Sequence, residues 1–152
     1  MPIADVLIRA SIVLFFFLIM EAAAWATHKY VMHGFLWALH KDHHMPEHNR
    51  LEKNDLFALF FALPSIALIA AGAADVFSLL FFAGLGIALY GLAYFWFHDI
   101  VVHQRLRILG NYRNKYLDSI IAAHLDHHRG RGNFGFLFLV PVRYFRRAAI
   151  SK

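Results

Sequence analysis

Three stretches of the chain stay apolar long enough to cross a bilayer, which takes about 20 residues. They run roughly over 6–26, 56–74 and 76–97. The first carries Arg9 and Glu21, whereas the second and third carry no charge, and the second contains Pro64. Only Asp75 and a few small residues separate the second from the third, which predicts a tight helical hairpin. Residues 28–44 continue the first span as helix until Pro46 stops them. Residues 115–128 form an amphipathic helix with Leu117, Ile121, His124 and His128 on one stripe, ended by Gly130 and Gly132. Residues 134–140 are apolar but too short to cross, so they are expected to lie in the interface or to cover a site. The pattern predicts an all-α integral membrane protein, a single domain over 1–152. It has about three transmembrane helices, one plus a hairpin, and further helices beyond their ends.

Composition agrees. Hydrophobic residues make up 60% of the 152, with 16 Phe, against roughly 45–50% in soluble domains. A chain of this size could not bury so much apolar surface in water. The first apolar segment is too long for the core of a secretory signal, so no cleavable leader is expected. There is no Cys, which removes disulfides, thiolate metal sites, iron–sulfur clusters and Cys nucleophiles. The net charge is +5, but 14 of the 15 Lys and Arg residues fall in 29–53 and 105–152. Three spans put both regions on one side. The excess of cations makes that side cytoplasmic in an inner cell membrane, with no nucleic-acid partner implied. Arg143, Arg146 and Arg147 near the end suit an anionic lipid surface or a solvated tail.

Histidine carries the candidate chemistry. Ten of the 11 His fall into two copies of one pattern. His28 and His33 form an H-x4-H pair, followed by the H-x2-H-H triplet His40, His43 and His44. His98 and His103 form the second pair, and His124, His127 and His128 the second triplet. His48 is left over and reads as a surface residue. A duplicated set of imidazoles predicts two metal ions in a quasi-symmetric nest. On an α-helix, i, i+3 and i+4 share a face, so each triplet is expected to aim its three rings one way. Five residues turn roughly 140° on an ideal helix. Each H-x4-H pair therefore sits where a helix ends or deforms, or divides its rings between two metals. His28 follows the first span and His98 the third, which places the metals at the cytoplasmic edge of the bilayer.

Several other residues attract attention. Glu21 is a carboxylate within a span and precedes His28 by seven, a position that fits orienting a ligand, relaying protons, or packing helices. Asp42, Asp99 and Asp126 adjoin histidines and could orient imidazoles. Asp42 and Asp126 read better as a solvated polar face, and Asp99 is open. Asn54 and Asp55 read as caps of the second span. The aromatic run 94–97 reads as an interfacial belt or a tunnel lining.

Imidazole ligation suits Fe, Zn, Cu or Ni. Hydrolytic zinc sites keep three protein ligands, so ten imidazoles for two metals favour a redox-active iron pair. The stretches HKYVMHGFLWALHKDHH (28–44), EKND (52–55), YGLAYFWFHDIVVHQR (90–105) and HLDHHRGRGNFGFLF (124–138) resemble the fatty-acid hydroxylase and sterol desaturase superfamily of membrane di-iron oxygenases. Within it they are similar to the bacterial β-carotene hydroxylases. The resemblance covers most of the chain. It implies two Fe ions, replaceable by Zn in a crystal, held by the ten histidines. It also implies O2 as co-substrate, electrons from reduced ferredoxin or a similar donor, and hydroxylation at C3 of each β-ionone ring of a carotenoid. β-Carotene would pass through β-cryptoxanthin to zeaxanthin. The competing readings are a fatty-acyl or sterol hydroxylase or desaturase of the same superfamily, a membrane haem or metal-binding electron carrier, and a metal transporter.

Overall fold

The computed structural model describes residues 2–45, 51–75, 78–106 and 114–150. Pro46, His48 and the first two residues of the expected third span lie outside them, as does the side chain of Arg147. Every regular element among the described residues is helical. The order is α1 (Ile3–Ala26), a π-helical segment (Thr27–Phe35), α2 (Trp37–His40), a short 3-10 turn (Lys41–His44), α3 (Asp55–Gly72), α4 (Leu79–Tyr94), a second π-helical segment (Phe95–Val102), α5 (Lys115–His128) and α6 (Val142–Ile150).

Three helical stretches are long and apolar enough to cross a membrane: Ile3–Phe35, Asp55–Gly72 and Leu79–Val102. The first and third run farther than hydropathy alone predicts, because each continues through its π-helical segment and carries histidines at its end. Large side chains on the outer faces, such as Leu14, Phe15, Phe60, Leu63 and Leu92, are exposed, as lipid-facing positions should be. Polar groups at the ends hold the start of two helices. The Ser78 hydroxyl accepts from the Phe81 amide at the start of α4, and Asn114 accepts from the Leu117 amide at the start of α5. Asn54 was expected to cap α3 in the same way, but its side chain makes no capping bond.

Helix α4 is the central element and packs against both α1 and α3. In lipid there is no hydrophobic drive between helices, so close backbone approach must supply the attraction. Two glycines on opposite faces of α4 permit it. A Cβ on Gly84 would lie 2.8 Å from the Ser65 carbonyl on α3, and one on Gly86 would lie 2.5 Å from the Val13 carbonyl on α1. The Ser65 hydroxyl donates to the Gly84 carbonyl at 2.8 Å and locks the hairpin. Beyond the membrane ends, α5 and α6 pack together through Leu117, Ile120, Ala123, Val140 and Tyr144. The Tyr144 hydroxyl reaches Asp126 at 3.2 Å.

Replacing Gly86 with Val should force α1 and α4 apart. A cost of about 1–3 kcal/mol is typical of such overpacking. The expected outcome is a lower Tm of the detergent-solubilised protein than for a Leu92→Val control on the exposed face of α4, read by thermal unfolding.

Candidate metal centre

The ten paired histidines converge beneath the spans. Five of them, His28, His33, His40, His44 and His127, each place a ring nitrogen so that all five lie within 4.8 Å of one another. His43, His98, His103 and His124 form a second such group. His128 stands beside it, with its Nε2 2.8 Å from the Nε2 of His124. The two groups touch: the rings of His44 and His128 stack at 4.3 Å.

Both H-x4-H pairs fall within a single group each, and the π-helical segments explain how. A π-turn closes i→i+5 hydrogen bonds instead of i→i+4, so residues five apart come to lie over one another. The His103 amide donates to the His98 carbonyl at 2.9 Å in this way. The rings of His98 and His103 are consequently 4.6 Å apart, and those of His28 and His33 are 5.1 Å apart. Of the two possibilities left open by spacing, helix deformation is the one adopted.

The triplets behave differently from expectation. They do not aim three rings one way. In each, the residue at i stays with the pair from the same half of the chain, as does His44 at i+4 of the first triplet, while the residue at i+3 crosses over; His128, at i+4 of the second, lies between His124 and His44. His43 joins His98, His103 and His124, and His127 joins His28, His33, His40 and His44. Positions i+3 and i+4 are about 100° apart on the α-helix that carries the second triplet and about 120° apart on the 3-10 turn that carries His43 and His44. When two metal positions lie close together under a helix end, such an angle sends adjacent rings to different ones.

The outer ring nitrogens decide what the inner ones can do. His43 Nδ1 donates to Glu52 Oε2 at 2.9 Å, His40 Nδ1 to Asn54 Oδ1 at 2.7 Å, and His28 Nδ1 to the Phe134 carbonyl at 3.2 Å. His98 Nδ1 faces Asp99 Oδ2 at 3.4 Å. An imidazole whose Nδ1 carries the proton presents a bare lone pair at Nε2, the form that binds a metal. The Nε2 atoms meet in the interior: His33 with His127 at 3.0 Å, His40 with His44 at 3.1 Å, and His103 with His124 at 2.8 Å. His43 Nε2 is buried with no hydrogen-bond partner among the described residues. Burial, together with the neighbouring imidazoles, lowers the pKa of His40 to about 4, of His43 to about 3 and of His44 and His127 to about 2. His124 is held well below its ordinary value by burial and by His98. Near neutral pH these rings carry no charge. Neutral imidazole lone pairs aimed inward fit a divalent cation in each group.

The carboxylates sort themselves. Asp99 faces His98, as left open by the sequence, and Arg105 steadies it at 2.8 Å while also gripping Asp55 at 2.7 Å. A left-handed turn at Gln104 (φ 51°) brings Arg105 back to that position. Asp42 accepts from the backbone amides of His43 and Lys53, and Asp126 from Tyr144 and Arg131. Sequence reasoning missed Glu52 and Asn54 as partners of His43 and His40. The signal was present in the EKND stretch, which stood out only as part of the resemblance. Residues 134–140 cover the site: Phe136 stacks on His28 with centroids 4.8 Å apart, and Phe134 packs edge-on at 5.5 Å.

The sequence profile of the fatty acid hydroxylase family matches residues 13–146. The chain belongs to that family. Among similar known proteins, a β-carotene hydroxylase of Pseudescherichia vulneris is 43% identical over 137 residues, covering 87% of this chain and 77% of its own length. One from Pantoea ananas is 42% identical over 128 residues, covering 81% and 73%. A chloroplastic β-carotene 3-hydroxylase of an Oncidium hybrid cultivar is 43% identical over 114 residues, 73% of this chain and 37% of that protein. No solved structure shows a significant match. The four histidine groups of this family member all lie within the matched residues.

Outer partners of this kind typically contribute 10–100-fold to metal affinity. Glu52→Gln and Asn54→Ala should each weaken metal retention by about that factor. Metal content after graded chelator dialysis, measured by elemental analysis, checks it; retention equal to the unaltered chain in both variants sinks the assignment.

Proposed function

We propose that the chain is a carotenoid hydroxylase, an O2-dependent non-haem di-iron enzyme that places hydroxyl groups at C3 of β-ionone rings. β-Carotene would become β-cryptoxanthin and then zeaxanthin. The observation that carries the reading is the pair of neutral imidazole nests, in a chain whose bacterial relatives are β-carotene hydroxylases over most of its length. His28, His33, His40, His44 and His127 are the proposed ligands of one iron, and His43, His98, His103, His124 and His128 those of the other. An iron pair so held supplies O2 activation and the oxidising power to hydroxylate an unactivated C–H bond. Reduced ferredoxin or a similar protein is the proposed electron donor.

The residues of the chain do the rest. An apolar cavity of about 480 Å³ lies between α3 and α4, lined in part by Phe61, Ile87, Gly91, Tyr94 and Phe136. Rim residues Ile66 and Leu92 are exposed on the outer face, so a substrate dissolved in lipid can enter sideways. At its inner end Tyr94 and Phe136 meet edge to face at 4.7 Å. Tyr94 also stacks on His98 at 4.6 Å, and Phe136 on His28. The cavity thus ends on an aromatic partition that touches one imidazole of each group. A ring end seated there is held next to the metals and away from water. The concentration of Lys and Arg beyond the span ends supports placing this end in the cytoplasm, with the protein in the inner membrane. The family's name favours a fatty-acyl substrate as the second reading.

Expression in a bacterial host that accumulates β-carotene, followed by pigment chromatography, tests the proposal. Hydroxylated carotenoids are expected. Their absence, with the protein in the membrane and iron and donor present, sinks the carotenoid reading, and lipid analysis of the same cells then tests the second. His43→Ala and His127→Ala should reduce product to background while the chain still inserts. Filling the cavity has a separate signature. A Cβ on Gly91 meets nothing within 4 Å. Gly91→Phe should therefore fold and hold its metal, yet turn over far more slowly; unchanged turnover would remove the cavity from the substrate path.

A further inference from the structure

Glu21 is 1% exposed, in the apolar part of α1, where a carboxylate is costly. Its partners are unusual. Oε1 accepts from four successive backbone amides, those of Phe136, Leu137, Phe138 and Leu139, at 2.9, 2.9, 3.2 and 3.1 Å. Oε2 accepts from the Tyr90 hydroxyl of α4 at 2.8 Å. Successive amides aimed at one point form a nest for negative charge. Here the occupant of the nest belongs to the chain itself. Gly135 allows the bend, since a Cβ at that position would run into the Leu139 carbonyl. None of these contacts is to a histidine.

The clamp nonetheless ends on the metal centre. The segment it grips begins at Phe136, whose ring stacks on His28, and two residues before it lies Phe134, whose carbonyl receives the His28 Nδ1 proton. His28 belongs to the first nitrogen group only. We infer that Glu21 is a positioning residue for one of the two metals, holding residues 136–139 and, through the bend at Gly135, the Phe134 carbonyl that fixes the tautomer and aim of His28. The inference rests on the two-metal reading above and extends it to a residue that touches no ligand. Charge is essential to the device. Four N–H dipoles within 3.2 Å of one oxygen repel each other, and a neutral amide oxygen, lacking the carboxylate's charge, binds each donor less strongly. Glutamine, with the same shape, should release the segment, whereas aspartate keeps the charge on a shorter arm.

The full chain in nanodiscs, stripped of metal and titrated with Co(II), reads the effect without turnover. Binding is followed by cobalt d–d absorption under chelator competition, and release of residues 136–139 by amide hydrogen exchange. The unaltered chain should bind two Co(II) ions; fewer would sink the two-metal reading and this inference with it, before any variant is compared. Glu21→Gln should weaken one ion by about 10–100-fold, leave the band of the other unchanged, and speed exchange at 136–139. Glu21→Asp should recover part of the loss. Gly135→Ala, which leaves Glu21 intact and displaces the segment, should reproduce the one-ion effect and decides the matter where the Glu21 variants fail to insert. Both ions bound as in the unaltered chain, in Glu21→Gln or in Gly135→Ala, would overturn the inference, as would equal weakening of both.

Discussion

A neutral imidazole has one proton and one lone pair, and giving the proton to an outer oxygen commits the lone pair to the inside. His28, His40 and His43 make that commitment through the Phe134 carbonyl, Asn54 and Glu52. Once several ring nitrogens face one another within 4.8 Å, a cation bound among them relieves the repulsion of their lone pairs. The surroundings follow from this. The 52–55 stretch must return beside the first triplet, Arg105 must steady Asp99, and residues 134–140 must close over His28. The outer oxygens come from three separate parts of the chain, which is why so small a protein devotes its loops to reaching them.

The membrane spans supply rigidity for that arrangement. Gly84 and Gly86 let α4 approach α3 and α1 closely, so the two π-helical segments leave the membrane from helices that are fixed relative to each other. The same helices leave a cavity on the lipid side and close it with Tyr94 and Phe136. Burying Glu21 within α1 is costly, but five donors offset the loss of water. The apolar spans, the cavity and the nitrogen nests are therefore one packing problem, joined at Phe136.

Spans, hairpin and histidine constellation were legible because each has a strong periodic or compositional signal. The tilt of the balance at H-x4-H was not. Five-residue spacing contradicts an α-helix without saying how the contradiction is resolved, and the i→i+5 bonding at His98 and His103 is visible only in the backbone. The crossing of His43 and His127 was misread because a shared helix face was taken to mean a shared destination, which fails when two destinations lie about 100° apart around one helix. Asn54 looked like a cap because Asn before an apolar run usually is one; its oxygen is taken by His40, 14 residues earlier. Glu21 could be marked as costly from sequence, but its partners are mostly backbone amides, which leave no trace in side-chain identity.

The crossover also bears on why the ligand pattern is duplicated. If each half of the chain filled its own nest, either half could order around its metal alone. With His43 in the second group and His127 in the first, neither nest is complete until α5 has docked beneath the ends of α1 and α4. Metal binding and closure of the end beneath the spans would then become one event, because ligands drawn from distant segments couple coordination to folding. A bound pair of ions would hold α5, and through Tyr144 and Asp126 also α6, against the span ends. Two metal ions bound side by side would need a frame that cannot part between them, and interleaved ligands give that frame without added chain length.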